Sequence, residues 1–126
     1  MYTGIIIEES LVDKGILKRF RILETKVEEV TERHRTPWLK KWTLDTVEVP
    51  DADAQADAML LSKEITVAHG NAWYADYKNG KTHYVIFHGK VFRIDRSNPK
   101  GYTVVKRYGM LVGIPEYQLD FSPKVK

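Results

Sequence analysis

The first hydrophobic pattern in the chain is the unbroken apolar run Ile5-Ile6-Ile7 near the N-terminus. β-branched residues favour strands, and an apolar run without polar alternation is typical of a strand buried on both faces. We therefore expect a central strand of the sheet here.

A short helix is expected directly after this strand. Ser10 has the residue type of an N-cap, and Asp13 stands three residues later, where a capping box has Glu or Gln. Leu11 and Leu17 would form the apolar face of the helix, while Gly15 weakens it.

Two strands are expected between residues 20 and 49. Residues 20–30 alternate imperfectly between apolar and charged side chains, as a bulged strand does. Residues 31–37 are polar and end in a proline, which predicts a loop. Residues 38–49 return to a strand pattern, so the two strands should form a hairpin.

A second helix is expected to begin near Asp51 and Asp53, because aspartate is a good N-cap and favours the positive end of the helix dipole. Apolar residues then recur at spacings of three and four, which is the amphipathic helical pattern. They are Ala54, Ala58, Leu61 and Ile65. His69-Gly70 should end this helix.

From Trp73 the pattern changes to period two and predicts a three-stranded β-meander. Asn79-Gly80 separates residues 73–78 from residues 81–87, and this dipeptide favours a type I′ hairpin turn. His88-Gly89 is a second turn candidate, and Lys90–Asp95 forms the third strand.

A last helix is expected after the meander, with Ser97 or Asn98 as its cap and Pro99 in its first turn. Its inner face should be apolar and aromatic. This face comprises Tyr102, Val105, Tyr108, Leu111 and Val112. Gly113-Ile114-Pro115 should end the helix, and residues 116–126 form either an edge strand or coil.

The predicted element order is strand, helix, strand, strand, helix, three strands and helix. This order predicts a single α+β domain over residues 1–126 with a mainly antiparallel sheet. Its first part matches the ferredoxin-like βαββαβ order, extended by a β-hairpin and a C-terminal helix.

The meander should divide its side chains between two faces. With Asn79-Gly80 as a two-residue loop, Asp76 lies opposite His83 and Tyr74 lies opposite Val85. The second turn pairs Phe87 with Lys90. One face then carries Tyr74, Val85, Phe87, Phe92 and Ile94, and the other carries Trp73, Tyr77, Tyr84, Ile86, Val91 and Arg93.

The second of these faces is aromatic with a basic fringe, and Trp73, Tyr77, Tyr84 and Arg93 are candidate binding residues. Such a surface can stack nucleic-acid bases. The alternative, which we favour, is that these aromatic side chains pack beneath another element or at a dimer interface.

Asp76 and His83 form the one acid–imidazole pair that the predicted register brings together. A carboxylate beside a histidine is a basis for general acid–base chemistry, so both are candidate catalytic residues. A surface pair near the hairpin tip is the simpler interpretation.

Basic residues cluster at the predicted tip of the first hairpin. Arg33, Arg35, Lys40 and Lys41 are candidate binding residues for an anion or phosphate, although a solvated loop is the simpler interpretation. The histidines lack the spacing of known zinc motifs, so no metal is expected.

Composition narrows the possible functions. The 126 residues carry a formal charge of +3 and include no cysteine, which excludes disulfides and cysteine nucleophiles. Residues 73–126 hold ten basic and four acidic residues. No nucleotide-binding, serine-hydrolase or zinc-protease motif occurs. The N-terminus resembles no signal peptide, and the expected location is cytoplasmic, with no membrane partner.

These observations favour a small non-catalytic binding or protein-interaction module without a cofactor. We expect a homodimer formed through an exposed sheet edge or the aromatic face, and a nucleic acid or an acidic protein is a possible partner. The alternative is a small acid–base enzyme that uses Asp76 and His83 in a cleft beside the meander.

Overall fold

The computed structural model describes residues 1–70 and 72–119, which form an α+β fold with a six-stranded antiparallel sheet. The strand order across the sheet is β2-β3-β1-β4-β5-β6. The strands are β1 (Tyr2–Ile7), β2 (Arg21–Glu29), β3 (Lys41–Val49), β4 (Tyr74–Lys78), β5 (Thr82–Phe87) and β6 (Lys90–Asp95). The two α-helices are α1 (Ala54–Glu64) and α2 (Pro99–Leu111).

The two helices pack on opposite faces of the sheet. β1 runs antiparallel to both β3 and β4, so β3 and β4 run parallel to each other on either side of β1. Helix α1 connects them and covers one face. Helix α2 follows β6 and packs on the other face beside the meander.

Each face has its own apolar cluster, and β5 contributes to both. Ile86 belongs to the cluster beneath α1, while its neighbour Val85 belongs to the cluster beneath α2. Both side chains are fully buried. Because successive side chains of a strand point to opposite faces, one strand can serve two cores.

The central position of β1 agrees with the sequence, but only one of its faces is fully buried. Ile6 is completely buried beneath α1, whereas Ile5 on the opposite face is 41% exposed. The expectation of burial on both faces is therefore wrong, because α2 does not extend over this part of the sheet.

The α-helix expected at residues 10–17 is not formed. Two 3-10 segments, Glu8–Ser10 and Lys14–Arg19, take its place. Leu11 between them is extended and pairs with Ile65 in an isolated bridge. Asp13 rather than Ser10 caps the second segment, since its side chain accepts a hydrogen bond from the backbone N–H of Gly15 at 2.8 Å.

The first hairpin is present as predicted. β2 pairs with β3 antiparallel, and the register shifts between Ile22 and Glu24. This shift is the bulge that the imperfect alternation indicated.

Helix α1 ends at Glu64, earlier than the His69-Gly70 stop predicted from the sequence. Ile65 is extended and bonds across to Leu11. The flanking residues extend this contact, because the backbone N–H of Thr66 donates to the Ser10 carbonyl at 2.7 Å. The aspartate cap is also wrong, since Asp53 makes no capping hydrogen bond.

Helix α2 begins as predicted, with the Asn98 side chain accepting from the backbone N–H of Lys100 at 3.1 Å. Its expected inner face is correct for Tyr102 and Val105, which are buried, but Leu111 is 82% exposed. Gly113, with φ of 105°, reverses the chain at this end. Ile114 is buried instead and packs in the α2 cluster.

The β4–β5 turn is displaced by one residue from its predicted position. Asn79 lies opposite Thr82, which makes Gly80-Lys81 the two-residue loop. Gly80 does not have a positive φ, so a type I′ turn is excluded. The Asn79 side chain accepts from the backbone N–H groups of Lys81 and Thr82, as an asparagine at the first position of a turn can do.

The displaced turn slides the β4–β5 register by two residues. Asp76 now lies opposite Val85, and Tyr77 opposite Tyr84. A shift of two preserves the face of every side chain, so the predicted division into two faces is correct. The second turn is as predicted, with Phe87 opposite Lys90 and Gly89 at φ of 70°.

Glu116–Gln118 forms a 3-10 segment, and the remaining tail prediction for residues 120–126 lies outside the described residues. Among the residues described, no helix has the length and apolar character needed to cross a membrane.

Candidate functional site

A half-open cavity of about 370 Å³ lies on the α2 face of the sheet, over β3, β1 and β4. It forms where α2, which packs beside the meander, leaves the sheet uncovered. The floor comprises Ile5, Ile7, Trp42 and Leu44. The wall comprises Ala72, Trp73, Tyr74, Asp76, Ile114 and Gln118. Among the described residues, the lining is thus mostly apolar and aromatic, and Asp76 is its one charged side chain.

Hydrogen bonds at both ends hold the segment that closes one side of the cavity. The Tyr74 hydroxyl donates to the Gln118 carbonyl at 2.6 Å. The Gln118 side-chain amide and the Tyr117 hydroxyl donate to the Arg33 carbonyl at 2.7 and 2.8 Å. The segment after α2 is therefore attached both to β4 and to the tip of the β2–β3 hairpin.

Asp76 is the charged group that lines this cavity, and His83 fixes its orientation. Asp76 Oδ2 lies 2.7 Å from His83 Nε2. The His83 side chain is completely buried, whereas that of Asp76 is 27% exposed. The shift of register places the two residues diagonally rather than directly opposite each other. Their contact is partly buried, although the sequence indicated a solvated hairpin tip.

Tyr102 and Arg96 extend the network on the inner side of His83. The Tyr102 hydroxyl lies 2.9 Å from His83 Nδ1. Burial raises the pKa of Tyr102, and the positive charge of Arg96 together with a hydrogen bond from it lowers that pKa by a smaller amount. The Asp76 carboxylate accepts from His83 Nε2–H, so Nδ1 of the imidazole accepts from the Tyr102 hydroxyl, and these two hydrogen bonds hold the ring in one tautomer.

This geometry limits which residue can contact a ligand. Both nitrogens of His83 are occupied and its ring has no access to solvent. His83 is a positioning residue for Asp76, whose carboxylate reaches the cavity and can accept a hydrogen bond or pair with a cation.

The aromatic face predicted as a binding surface is buried beneath α1. Trp73, Tyr77 and Tyr84 are at most 5% exposed, so they offer no open surface for stacking bases. Tyr77 donates to the Ala54 carbonyl at 2.7 Å, and burial raises the pKa of its hydroxyl. Packing beneath another element was the favoured alternative, and Trp73 also reaches the cavity wall.

Arg93 lies elsewhere, in a wide and shallow cleft of about 760 Å³ at the tip of the β4–β5 hairpin. Lys81 and Arg96 line the same cleft, together with Asp95. Hydrogen bonds from Ser97 lower the pKa of Asp95, so this acid is ionised and offsets part of the basic charge.

The basic residues of the first hairpin do not join Arg93. Arg33, Arg35, Lys40 and Lys41 are all exposed at the β2–β3 tip. The Arg33 guanidinium lies over the Tyr117 ring, 4.2 Å from its centroid. The two groups of basic candidate residues therefore belong to separate surfaces.

His34 has a structural role at the same tip. Its Nδ1 accepts from the backbone N–H of Thr31 at 3.0 Å, and its Nε2 lies 3.2 Å from Glu28. The ring packs edge-on against Trp42, with centroids 4.3 Å apart. These contacts place Trp42 at the edge of the cavity floor.

Sequence reasoning missed the cavity floor because it placed Ile5 in a fully buried strand. It also missed a carboxyl pair on the α1 face. Asp45 is completely buried, and its hydrogen bond with Glu8 raises the pKa of Glu8. The sequence signal that could have identified this pair is the position of Asp45, which falls on the inward-facing side of the alternating strand residues 41–49.

No family model, curated protein or solved structure matches this chain. In the described part of the chain, no group of three or more His, Asp or Glu side chains is arranged to hold a metal ion.

Proposed function

We propose that this protein is a small-ligand binding module whose site is the half-open cavity over β1. The observation that carries the proposal is Ile5, a large apolar side chain on a central strand that is nevertheless 41% exposed, on the cavity floor. A concave apolar site with a few convergent polar groups is the usual form of a small-molecule site.

The cavity indicates the chemical class of the ligand. A volume of about 370 Å³ is at the lower end of the range of small-molecule sites and accommodates about 10–20 non-hydrogen atoms. Trp42, Trp73 and Tyr74 favour an aromatic or branched aliphatic body. The Asp76 carboxylate favours a cationic or hydrogen-bond-donating group at one end, such as an amine.

The His83–Tyr102 network supports a binding role for Asp76. A carboxylate whose rotamer is fixed by a buried partner loses little conformational freedom when it binds a ligand. Fixed orientation of a few polar groups is also what gives an apolar cavity its specificity.

The test uses three probes with the same phenyl body: 2-phenylethylamine, 2-phenylethanol and 3-phenylpropionate. Binding is followed by ¹H–¹⁵N NMR and by tryptophan fluorescence, in which Trp42 and Trp73 line the cavity and Trp38 does not. We expect the amine to bind best and the carboxylate worst, with shifts at the residues of β1 and β4 that line the cavity. If no probe shifts these residues at millimolar concentration, the proposed site is wrong.

Two variants locate the interaction. Asp76→Asn should weaken amine binding about tenfold or more but leave alcohol binding nearly unchanged, because only the charge is lost. Asp95→Asn is the matched control, since this exposed acid lies in the cleft at the meander tip. Equal effects of the two variants would mean that net charge, and not the cavity, governs binding.

The alternative of a small acid–base enzyme would use Asp76 alone as the group that touches substrate, because His83 is enclosed. It predicts turnover that is abolished by Asp76→Asn. The binding module requires no turnover.

A nucleic acid or an acidic protein remains a possible partner, supported by the basic cleft that contains Lys81 and Arg93. Salt-dependent binding of a mixed single-stranded oligonucleotide that is lost in Arg93→Ala would support it.

A homodimer and a cytoplasmic location also remain predictions. With the aromatic face buried, the sheet edge is the surface that supports a dimer.

A ferredoxin-like relationship is also part of this proposal. The order β2-β3-β1-β4, with β3 and β4 joined through α1 on either side of β1, supports a split βαβ unit. The 3-10 segments in place of the first helix are a departure from it.

A further inference from the structure

The edge strand β2 is unusually open for a strand of nine residues. Among residues 1–70 and 72–119 it pairs only with β3, and Ile22, Leu23 and Val27 are between 43% and 56% exposed. A long edge with apolar side chains and free backbone groups can template pairing with another chain. The other edge, β6, is more buried, and its neighbour α2 packs against it.

The backbone pattern identifies which residues of β2 can pair outward. The N–H of Val30 donates to the carbonyl of Lys40. In an antiparallel pair, residues that bond to the neighbouring strand alternate with residues that do not. Counting from this bond in steps of two residues, the backbone N–H and C=O groups of Lys26 and Glu28 point towards β3. Those of Thr25 and Val27 point away from it.

The side chains of β2 are complementary to themselves about Thr25. If two copies pair antiparallel with Thr25 opposite Thr25, then Leu23 of each copy lies opposite Val27 of the other. Glu24 likewise lies opposite Lys26. Apolar side chains then meet on the α1 side of the sheet and opposite charges meet on the other side, which are favourable cross-strand pairs.

The charges that would pair between copies are available in the monomer. Within residues 1–70 and 72–119, neither Glu24 nor Lys26 makes an ion pair, and both side chains are exposed. Pairing centred on Lys26 instead would place Glu24 opposite Glu28, and like charges would oppose it.

We propose that β2 is a self-association edge, through which two copies of this chain join their sheets about a two-fold axis at Thr25. The bulge at Leu23 limits the paired stretch to about five residues, so the buried area is small and the dimer is weak. We expect a dissociation constant of about 10 µM to 1 mM.

The test is sedimentation equilibrium at up to about 1 mM protein, with a charge-reversal cycle at exposed positions. Lys26→Glu and Glu24→Lys each convert two attractive pairs into two repulsive ones and should weaken the dimer about tenfold or more. The double variant Glu24→Lys/Lys26→Glu restores opposite charges and should restore the affinity. Lys40→Glu is the control, since it makes the same charge change outside the paired stretch.

Each result has a defined meaning. Loss in the single variants with recovery in the double variant supports pairing about Thr25. A monomer throughout the concentration range overturns it. So does a dimer that no variant changes, which would show association elsewhere. Assemblies larger than a dimer that persist in the single variants would also overturn it, because a two-fold pairing uses the β2 edge of both copies and leaves only other surfaces for further association.

Discussion

At the scale of single residues, the fold has its clearest effect on the pKa of a carboxyl group beside a buried polar side chain. Asp45 accepts a hydrogen bond from Thr25 through Oδ1, and its interaction with the Glu8 carboxyl raises the pKa of Glu8. Asp45 is completely buried, so the pair is most stable when Glu8 is protonated and donates. This pair lies on the α1 face, away from Asp76 and the proposed ligand site.

Glu8→Gln tests this pair through the pH dependence of stability. The hydrogen bond with Asp45 raises the pKa of Glu8 above its ordinary value of 4.5, with burial and the charge of Asp45 adding to the shift. A raised folded-state pKa contributes stability that is complete below pH 4.5 and is lost as the pH rises through the folded value. Glutamine donates at every pH, so the variant should not show this loss.

We expect Glu8→Gln to be more stable than the native chain at pH 7 by up to about 1 kcal/mol and nearly equal to it near pH 4. Urea denaturation at several pH values measures the difference. Glu24→Gln, at an exposed position, is the control and should show no such pH dependence. A difference that is constant with pH would contradict the assignment.

At the scale of elements, the β4–β5 turn shows side-chain chemistry prevailing over a dipeptide preference. Asn79-Gly80 favours a type I′ turn, which requires positive φ at both residues. In the structure the Asn79 side chain binds two backbone N–H groups of the loop, and Gly80 keeps a negative φ. The turn moves by one residue and the strand register by two.

Gly80→Ala separates the two turn types. A methyl group at Gly80 meets no atom within 4 Å, and the backbone conformation is ordinary for any residue. Alanine should therefore be tolerated and should stabilise the fold by about 0.4–1 kcal/mol, by restricting the unfolded chain. A type I′ turn would instead make this substitution destabilising by more than that amount. Thermal unfolding followed by circular dichroism distinguishes the signs.

The ends of the helices also depend on their neighbours. Local pattern correctly predicted the start of α2, because the Asn98 cap and Pro99 are contained in a few consecutive residues. The same local pattern wrongly extended α1 beyond Glu64. Ile65 leaves the helix because it pairs with Leu11, which is more than fifty residues away in the sequence. A cap is a local interaction, whereas a bridge requires the folded chain.

At the scale of the whole molecule, the two cores share one sheet and should unfold together. Val85 and Ile86 are adjacent on β5 and are completely buried in different clusters. Val85→Ala and Ile86→Val each leave a cavity in one cluster, and we expect costs of about 2 kcal/mol and about 1 kcal/mol. Each should shift the whole transition.

The measurement compares tryptophan fluorescence with far-ultraviolet circular dichroism in urea. Two of the three tryptophans, Trp42 and Trp73, contact the α1 cluster, whereas circular dichroism reports on all elements. Coincident curves for the native chain and both variants indicate one cooperative unit. Separate transitions would mean that the α2 side unfolds independently.

The sequence by itself determined the order of the six strands and of α1 and α2, the second hairpin turn and the division of the meander into two faces. These depend on alternation, caps and turn residues within short stretches of chain. The contact of Asp76 with His83 also followed from this alternation, since a register shift of two keeps both on one face.

Only the tertiary structure decided which part of each face is covered. A helix about 10 Å wide covers roughly two strands spaced about 4.8 Å apart, so α2 cannot cover a face of six strands. The uncovered remainder exposes Ile5 and forms the cavity, while α1 buries Trp73, Tyr77 and Tyr84 on the other side. Both faces are apolar in sequence, and the positions of the helices determine which one stays open.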